Sequence, residues 1–228
     1  MTAGIPVSGL VMKTLGRFTS AVLALGALLF IPAGTFRYWE AWVYMAVLFI
    51  PMPLVLVYLV RNDPALLERR MRLREKEKFQ QKLFPVFAVL TLILYPIPGL
   101  DTRYGWSETP LFLVVTADIV VLSGYLLFFR ALRENRFASR IVEVVPGQTV
   151  VTTGPYAVIR HPMYCAVLAM FTFTPLALGS YWGMIPAAVF FFILAARIRN
   201  VEEVLLNRLE GYRDYVRKTR YRLIPVIW

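Results

Sequence analysis

Six apolar runs constrain the fold of this chain more than any other feature. Each is close to the roughly 17 to 25 residues that a helix needs to cross the hydrocarbon core of a bilayer. Hydrophobic residues make up 58% of the 228 positions, well above the content of an ordinary soluble domain. The runs therefore predict an all-α integral membrane protein with about six transmembrane helices. They lie at 18–35, 39–60, 83–100, 110–129, 163–179 and 181–196.

The basic residues are concentrated in alternate loops. All but two of the 25 Lys and Arg residues, the exceptions being Arg37 and Arg103, precede the first run or follow the second, fourth and sixth. By the positive-inside rule these loops and both termini lie in the cytoplasm. The net charge of +11 therefore reflects membrane topology, and we expect membrane lipids rather than nucleic acid as partners.

The pattern of runs and loops predicts a single membrane domain over 1–228. Its first part, 18–132, contains four spans and the charged loop 61–82, whereas 133–228 contains the last two spans and the candidate site. Prolines inside the runs, such as Pro51 and Pro96, predict kinks or early helix ends.

Three polar segments have patterns of their own. The loop 61–82 mixes charges with Leu66, Leu67 and Leu73, which is typical of an interfacial amphipathic helix, although a solvated connector would have the same composition. Between 141 and 153 valines alternate with polar residues around a Pro-Gly pair, which predicts an extended excursion or hairpin. Apolar positions over 201–216 recur at helical spacing and predict a C-terminal amphipathic helix on the cytoplasmic side.

The segment 154–164, GPYAVIRHPMY, concentrates polar groups beside the fifth run. Gly154-Pro155 is a turn signal, and Pro162 disfavours helical angles at His161, so the fifth helix should begin near Pro162. The unpaired N–H groups of a helix start favour an anion, and Arg160 and His161 add two donors.

A second polar group follows the sixth run, where the acidic pair Glu202-Glu203 comes four residues after Arg199. Together with the rings of Tyr156 and Tyr164, these charges suit a ligand that has a cationic centre, a carboxylate and a stacking base. Those are the parts of S-adenosylmethionine. The alternative is structural: a His-Pro contact in a turn and an interfacial salt bridge.

Other polar residues have less certain roles. Asp118 lies in the middle of the fourth run, where a charge is costly, so we expect it to face the interior and to bond through Ser123 or Thr116, or else to act in catalysis. Asn135 caps the fourth helix or lines the pocket. A single His161 and a single Cys165 exclude multi-histidine and thiolate metal sites, so no metal is predicted.

These motifs resemble the isoprenylcysteine carboxyl methyltransferase family and its relatives, the phospholipid methyltransferases. The likeness covers 148–225: GPYAVIRHPMY, two apolar segments, EEVLL at 202–206 and GYRDYVRKTRYRLIP at 211–225. It implies transfer of a methyl group from S-adenosylmethionine to a lipid-borne or hydrophobic acceptor that enters from the bilayer. The acceptor group, whether carboxylate, amine or thiol, is left open.

The resemblance also implies roles for individual residues. In the family, the Arg that contacts the acceptor lies one turn before a Glu. Arg199 and Glu203 fit this spacing, and Arg197 is the alternative if the register differs by a residue or two. Together with Arg160 of the turn, the candidate cofactor-binding residues are Gln148, Thr149, Val150, Val151, Tyr156, Arg160, His161, Pro162, Met163, Tyr164, Glu202 and Glu203.

Two other functions share part of the pattern. Membrane sterol reductases, which use NADPH, have a similar ending that typically reads RHPNYxGE. Here Met163 replaces the Asn, and Tyr164 is followed by Cys165-Ala166 with no Gly-Glu, which disfavours reductase chemistry. A non-enzymatic membrane protein is the third possibility, although a transporter would more often show a repeat or several charges at mid-membrane depth.

Overall fold

The computed structural model describes residues 7–71, 75, 77–225 and 228, and within them all regular structure is helical. A short 3-10 turn, Gly154–Ala157, precedes the eighth α-helix. The α-helices are α1 (Val7–Ala33), α2 (Trp39–Phe49), α3 (Pro51–Asn62), α4 (Pro64–Met71), α5 (Lys78–Leu94), α6 (Pro96–Tyr104), α7 (Leu111–Glu134), α8 (Pro162–Ala177), α9 (Met184–Arg208) and α10 (Tyr212–Lys218).

Five helical stretches in the described part of the chain are long and apolar enough to cross a membrane: Gly9–Ala33, Trp39–Asn62, Lys78–Tyr104, Leu111–Glu134 and Met184–Arg208. Helix α8 is also apolar but has only 16 residues. At 1.5 Å per residue it is about 24 Å long, less than the hydrocarbon core of about 30 Å. The prediction of an all-α integral membrane protein with about six membrane helices is confirmed, and α8 is the short member.

Two of the spans are each built from two helices. Pro51 begins α3 directly after Ile50, and Pro96 begins α6 directly after Tyr95. Both junction residues keep right-handed helical angles, so the chain continues in one general direction. The missing proline N–H interrupts the backbone hydrogen bonds at each junction, as the sequence predicts.

Side-chain hydrogen bonds tie the connections together at one end of the bundle. The Ser180 hydroxyl donates to the Asp101 carboxylate, and the Thr109 hydroxyl donates to the Gly179 carbonyl oxygen over 2.9 Å. At the opposite end, α4, the loop 135–161 and the C-terminal half of α9 meet. We call this second end the site end, since it contains every candidate cofactor-binding residue.

Helices α7 and α8 pack closely through small residues. Ala166 of α8 is completely buried. A Cβ atom placed on Gly124 of α7 would lie 3.1 Å from the carbonyl oxygen of Ala166. Small residues at such a contact let two helix backbones approach each other. This packing places the start of α8, and with it the motif turn, beside the C-terminal end of α7.

The C-terminal amphipathic region is two helices rather than one. Helix α9 continues the last span to Arg208, Leu209 is extended, and Gly211 has a φ of +79° before α10 begins. A left-handed backbone angle favours glycine and ends a right-handed helix. The break turns Tyr212 and Tyr215 inward, where both are buried.

The other two polar segments also differ in part from expectation. In the loop 61–82, helix α4 buries Leu66 and Leu67 within the protein. A fully solvated connector is therefore excluded for this helix. Leu73 lies outside the described residues. The segment 141–153 turns at Gly147, whose φ is +74°, but its described residues form no strand pairing. It is an extended loop that folds over the site.

Asp118 is buried in α7, as expected, but the predicted hydrogen bonds are not formed. The Thr116 hydroxyl donates to the Phe112 carbonyl oxygen of its own helix over 2.6 Å. The Oδ1 atom of Asp118 has no hydrogen-bond partner among the described residues, and Ser123 does not reach it. A hydroxyl in a helix is often satisfied by the carbonyl one turn earlier, which explains why Thr116 does not serve as the partner.

Candidate functional site

The motif turn begins at a glycine that its backbone requires. Gly154 has a φ of +56°, and a Cβ atom there would lie 2.9 Å from the Glu134 carboxylate. The same carboxylate accepts a hydrogen bond from the Thr153 hydroxyl. The end of α7 therefore holds the start of the turn through Glu134, and Pro155 then leads into the 3-10 turn.

A C-terminal strap of residues 219–223 closes the other side of the turn. The backbone N–H groups of Arg160 and His161 donate to the carbonyl oxygens of Tyr221 and Arg222 over 2.9 and 3.0 Å. The Arg160 side chain also donates to the carbonyl oxygens of Thr219 and Arg220. His161 caps α8 with non-helical angles, and Pro162 occupies the first helical position, as the sequence predicts.

A buried ion cluster lies between the turn, the strap and α9. Its centre is the Glu202 carboxylate, which accepts hydrogen bonds from Arg160 Nε and Arg222 Nε, both over 2.6 Å. His161 Nε2 lies 3.2 Å from the same carboxylate. Arg160, His161 and Glu202 are each less than a tenth exposed, whereas Arg222 is about one-third exposed.

The cluster fixes the protonation of His161. Burial lowers the pKa of His161 below its ordinary value, although the hydrogen bond with Glu202 acts in the opposite direction. The ring is therefore neutral at pH 7, and because an ionised carboxylate only accepts hydrogen bonds, Nε2 carries the proton. Nδ1 is then an acceptor, and the cluster of two guanidinium groups and one carboxylate keeps an excess positive charge.

These groups form part of the wall of a cavity at the site end. The motif turn, the loop 135–151, α9 and α10 surround it. Of the residues predicted to bind a cofactor, those that line the cavity are Gln148, Thr149, Val150, Val151, Tyr156, Arg160, His161, Pro162, Met163 and Tyr164. Glu202 lies behind this wall, in contact with Arg160 and His161.

Besides Glu202, two of the predicted residues do not line the cavity. Arg199 and Glu203 are both exposed and do not line it, whereas Arg197 does. Neighbouring positions on an α-helix differ by about 100° in direction, so only one member of the acidic pair can face the turn. Arg197 lines the cavity, and Glu202 contacts Arg160 and His161 of the motif turn; these are the two residues that the sequence left as the alternatives.

Three tyrosines give the cavity an aromatic wall. Tyr156, Tyr212 and Tyr215 all line it, and the Tyr215 hydroxyl donates to the Tyr156 carbonyl oxygen over 2.7 Å. Burial raises the pKa of Tyr156 to about 12, so its hydroxyl keeps its proton at neutral pH. Asn135 both caps α7 and lines the cavity, where its side-chain amide lies 3.4 Å from the Tyr156 hydroxyl.

A second depression, the apolar groove, meets the cavity at Tyr164 and Arg197. It lies between α5, α8 and α9, and both residues line the two spaces. The Arg197 guanidinium donates to the Tyr164 hydroxyl, to Gln80 Oε1 and to the Arg140 carbonyl oxygen. The remaining residues of the groove are Phe84, Phe87, Arg140, Val167, Phe190 and Leu194.

Some residues of the site are not predicted by sequence reasoning. Arg222, Tyr212 and Tyr215 lie in a stretch that carries the family resemblance, but spacing alone gives them no role. Gln80 lies 74 residues before the motif in sequence. It is one of two adjacent amides at the start of an apolar helix, and its position one turn before Phe84 and two turns before Phe87 places these three residues on one face.

The arrangement has the features of a site for a charged organic ligand next to lipid. The cluster favours an anion, the tyrosines offer stacking faces, and His161 Nδ1 offers an acceptor to an amine. The groove leads from this polar cavity to apolar surface on α5 and α9. An apolar molecule could therefore reach Arg197 while its polar end lies in the cavity.

Comparison with known families is consistent with this site. The family model of the phospholipid methyltransferases matches residues 112–213, which include nearly all of α7, the motif turn, α8 and α9. No curated protein is similar enough in sequence to match the chain. Residues 112–213, the part that forms most of the cavity, are therefore similar to the phospholipid methyltransferases.

Proposed function

We propose that the protein transfers a methyl group from S-adenosylmethionine to a hydrophobic, lipid-borne acceptor, as isoprenylcysteine carboxyl methyltransferases do. The observation that carries the proposal is that the polar cavity and the apolar groove meet at Tyr164 and Arg197. A donor in the cavity and an acceptor in the groove would come together at this junction.

The residues of the cavity suit the donor. The excess positive charge of the Glu202 cluster favours the donor carboxylate, and His161 Nδ1 can accept a hydrogen bond from its amino group. The rings of Tyr156 and Tyr212 offer apolar faces to an adenine and a π-surface to a sulfonium. No Gly-rich loop after a strand is present in the described residues, so helix ends and loops would hold the nucleoside.

The acceptor would enter from the bilayer along the groove. Phe84, Phe87 and Phe190 provide apolar contacts for a hydrocarbon chain, and Arg197 would orient the reacting group. S-adenosylmethionine, when bound, would supply an electrophilic methyl group to a lone pair of the acceptor, with S-adenosylhomocysteine as the leaving group. The protein aligns the two reactants and excludes water, which accounts for most of the catalysis in such a displacement.

We also propose that the site end faces the cytoplasm. Nearly all Lys and Arg residues lie in the loops at that end, which is the distribution expected of cytoplasmic loops. S-adenosylmethionine would then reach the cavity from the aqueous side, while the acceptor reaches it from the lipid.

Equilibrium binding to the detergent-purified protein tests the proposal. We expect S-adenosylmethionine to bind and NADPH not to bind. The variant Glu202→Gln should weaken S-adenosylmethionine binding at least tenfold, because an amide accepts fewer hydrogen bonds than the carboxylate that holds Arg160, His161 and Arg222 in place. The matched control Glu203→Gln changes the exposed neighbour in the same way and should alter the affinity by less than twofold.

Each result has a defined meaning. Binding of NADPH without S-adenosylmethionine would overturn the methyl-transfer proposal in favour of a reductase. Binding of neither ligand would favour a protein without this chemistry. Since Glu202→Gln could also unfold the site, the milder variant His161→Gln should be measured alongside it, and equal affinities for wild type, His161→Gln and Glu202→Gln would exclude this cavity as the donor site.

A further inference from the structure

Gln80 is a completely buried amide in the first turns of α5. Its neighbours Gln81 and Lys82 are exposed, so the burial belongs to this position alone. A buried polar side chain is costly unless its hydrogen bonds are formed. Gln80 therefore marks a place where α5 is held to another helix by polar contacts.

The partners of Gln80 fix the direction of its amide. Its Nε2 atom donates to Asn200 Oδ1 over 2.7 Å, and its Oε1 atom accepts from Arg197 Nη1 over 2.6 Å. The reversed amide would turn its own N–H groups toward the guanidinium, which has donors only. Asn200, one turn after Arg197 on α9, thus keeps the Gln80 oxygen directed at Arg197.

Within the described part of the chain, the hydrogen-bond partners of Arg197 are all neutral. They are the Tyr164 hydroxyl, the Gln80 amide oxygen and the Arg140 carbonyl oxygen. No carboxylate of a described residue lies within 4.0 Å of its guanidinium. The side chain is held on three sides by neutral groups, and no carboxylate of the described residues forms an ion pair with it.

The Arg140 side chain adds a second cation to the groove. It lines the same apolar groove, and its guanidinium lies over the Phe84 ring. Burial and the charges of Arg17 and Arg197 lower the pKa of Arg140, as expected where cations face one another. The groove therefore combines an apolar wall with two guanidinium groups at its polar end.

We propose that Gln80 is a positioning residue that selects acceptors carrying an anionic group. It holds the Arg197 guanidinium at the junction with a neutral oxygen, so that the charge is left for a carboxylate or phosphate on the acceptor. A glutamate at this position would offer the guanidinium an oxygen acceptor in the same place, once the Asn200 amide has turned its NH2 group toward the carboxylate, but would cancel the guanidinium charge. The inference rests on the proposed methyl transfer and specifies the acceptor class for it.

The variant Gln80→Glu tests the inference, because it keeps the shape of the side chain and adds one negative charge. The probes are S-farnesyl-N-acetylcysteine, which presents a carboxylate, phosphatidylethanolamine in vesicles, which presents a phosphate, and a long-chain primary amine without an anion. Gln81→Glu, the same change one position along on the exposed side, is the matched control. It alters only a hydrogen bond to the Glu75 carbonyl oxygen.

We expect Gln80→Glu to raise the KM for the anionic acceptor that the wild type uses by tenfold or more. The dissociation constant for S-adenosylmethionine should change by less than twofold and the melting temperature should not fall. Activity on the amine, if the wild type has any, should be spared or improved. Gln80→Leu, which no longer holds the guanidinium, should lower kcat/KM for every acceptor, and Gln81→Glu should match the wild type.

The controls separate the two levels of the proposal. A wild type that binds no S-adenosylmethionine overturns the proposed function itself. A wild type that methylates an anionic acceptor, together with a Gln80→Glu variant whose KM is unchanged, overturns the role of Gln80. A loss of donor affinity and thermal stability in parallel with activity would show that Gln80 is structural only, and preference of the wild type for the amine would overturn the acceptor class.

Discussion

The choice between two adjacent glutamates illustrates what a sequence leaves open at the scale of single residues. Glu202 is buried between Arg160 and Arg222, whereas Glu203 is exposed. Both precede the same apolar stripe, and the sequence alone favoured pairing Glu203 with Arg199. Only the rotation of α9 against the motif turn decides between them, and that rotation depends on packing with α5 and α8.

The protonation of His161 gives a pH dependence with a defined sign. Its pKa in the folded protein is lowered from 6.5, so between that pKa and 6.5 the unfolded chain binds the proton more readily. The contribution of neutral His161 to stability should therefore be fully present above about pH 6.5 and should be lost as the pH falls below it. Melting temperatures of wild type and His161→Gln between pH 8 and pH 5 check this, and the variant should lose part of the decrease.

Comparing wild type with His161→Gln also shows whether another group causes the loss of stability at low pH. If the wild type and His161→Gln lose stability in parallel as the pH falls, the proton is taken up by another group, such as a carboxylate. The inferred neutral state of the ring would then be wrong.

Arg197 and Arg199 form a second matched pair. Arg197→Gln should reduce kcat/KM for the acceptor at least tenfold, because it removes the charge at the junction, with little change in donor affinity. Arg199→Gln removes an equal charge from the exposed side of α9 and should leave kcat/KM within twofold of the wild type. Steady-state kinetics with the acceptor varied at saturating donor distinguish the two. A larger effect at Arg199 would contradict the register described here.

At the scale of helices, the length of each apolar run predicts where a helix lies better than individual side chains do. All six predicted runs correspond to helical stretches, because a continuous apolar segment of this length must satisfy its backbone hydrogen bonds within lipid. The ends of the helices follow local signals at Pro51, Pro96 and Pro162. The break at Gly211 was missed, since periodicity continues across it and only the backbone angle interrupts the helix.

Helix contacts through glycine provide a test of the packing. A Cβ atom on Gly99 of α6 would lie 2.5 Å from the Leu29 carbonyl oxygen of α1. Gly99→Ala should therefore destabilise the protein by about 1–3 kcal/mol, since backbone must move. Gly16 of α1 has nothing within 4 Å, so Gly16→Ala should be neutral or slightly stabilising. Thermal unfolding in detergent checks both, and equal effects would contradict the close approach of α1 and α6.

At the scale of the whole molecule, the basic loops predict its orientation in the membrane. Cys165 is the only cysteine, so Cys165→Ala gives a background for single cysteines. A cysteine at the exposed position Glu108 should react with a membrane-impermeant maleimide added outside the cell. One at the exposed position Arg213 should react only after permeabilisation. The reverse labelling pattern would place the site end outside.

The site is formed by tertiary contacts that short sequence patterns do not predict. Gln80, Arg197 and Arg222 come from widely separated parts of the chain, and each is recognised only through its partners. The motif turn itself was predictable because Gly154, Pro155 and Pro162 leave little freedom to the backbone. The sequence therefore predicts the donor side of the site better than the acceptor side.

The strap at 219–223 means that inserting the helices and completing the site are separate events. A nascent chain could place its membrane helices in the bilayer before the residues that hold Arg160 and His161 have left the ribosome. The site could bind the donor only after the residues through Arg222 have left the ribosome. A substitution that disrupts residues 219–223 would leave a protein that is inserted correctly but is inactive.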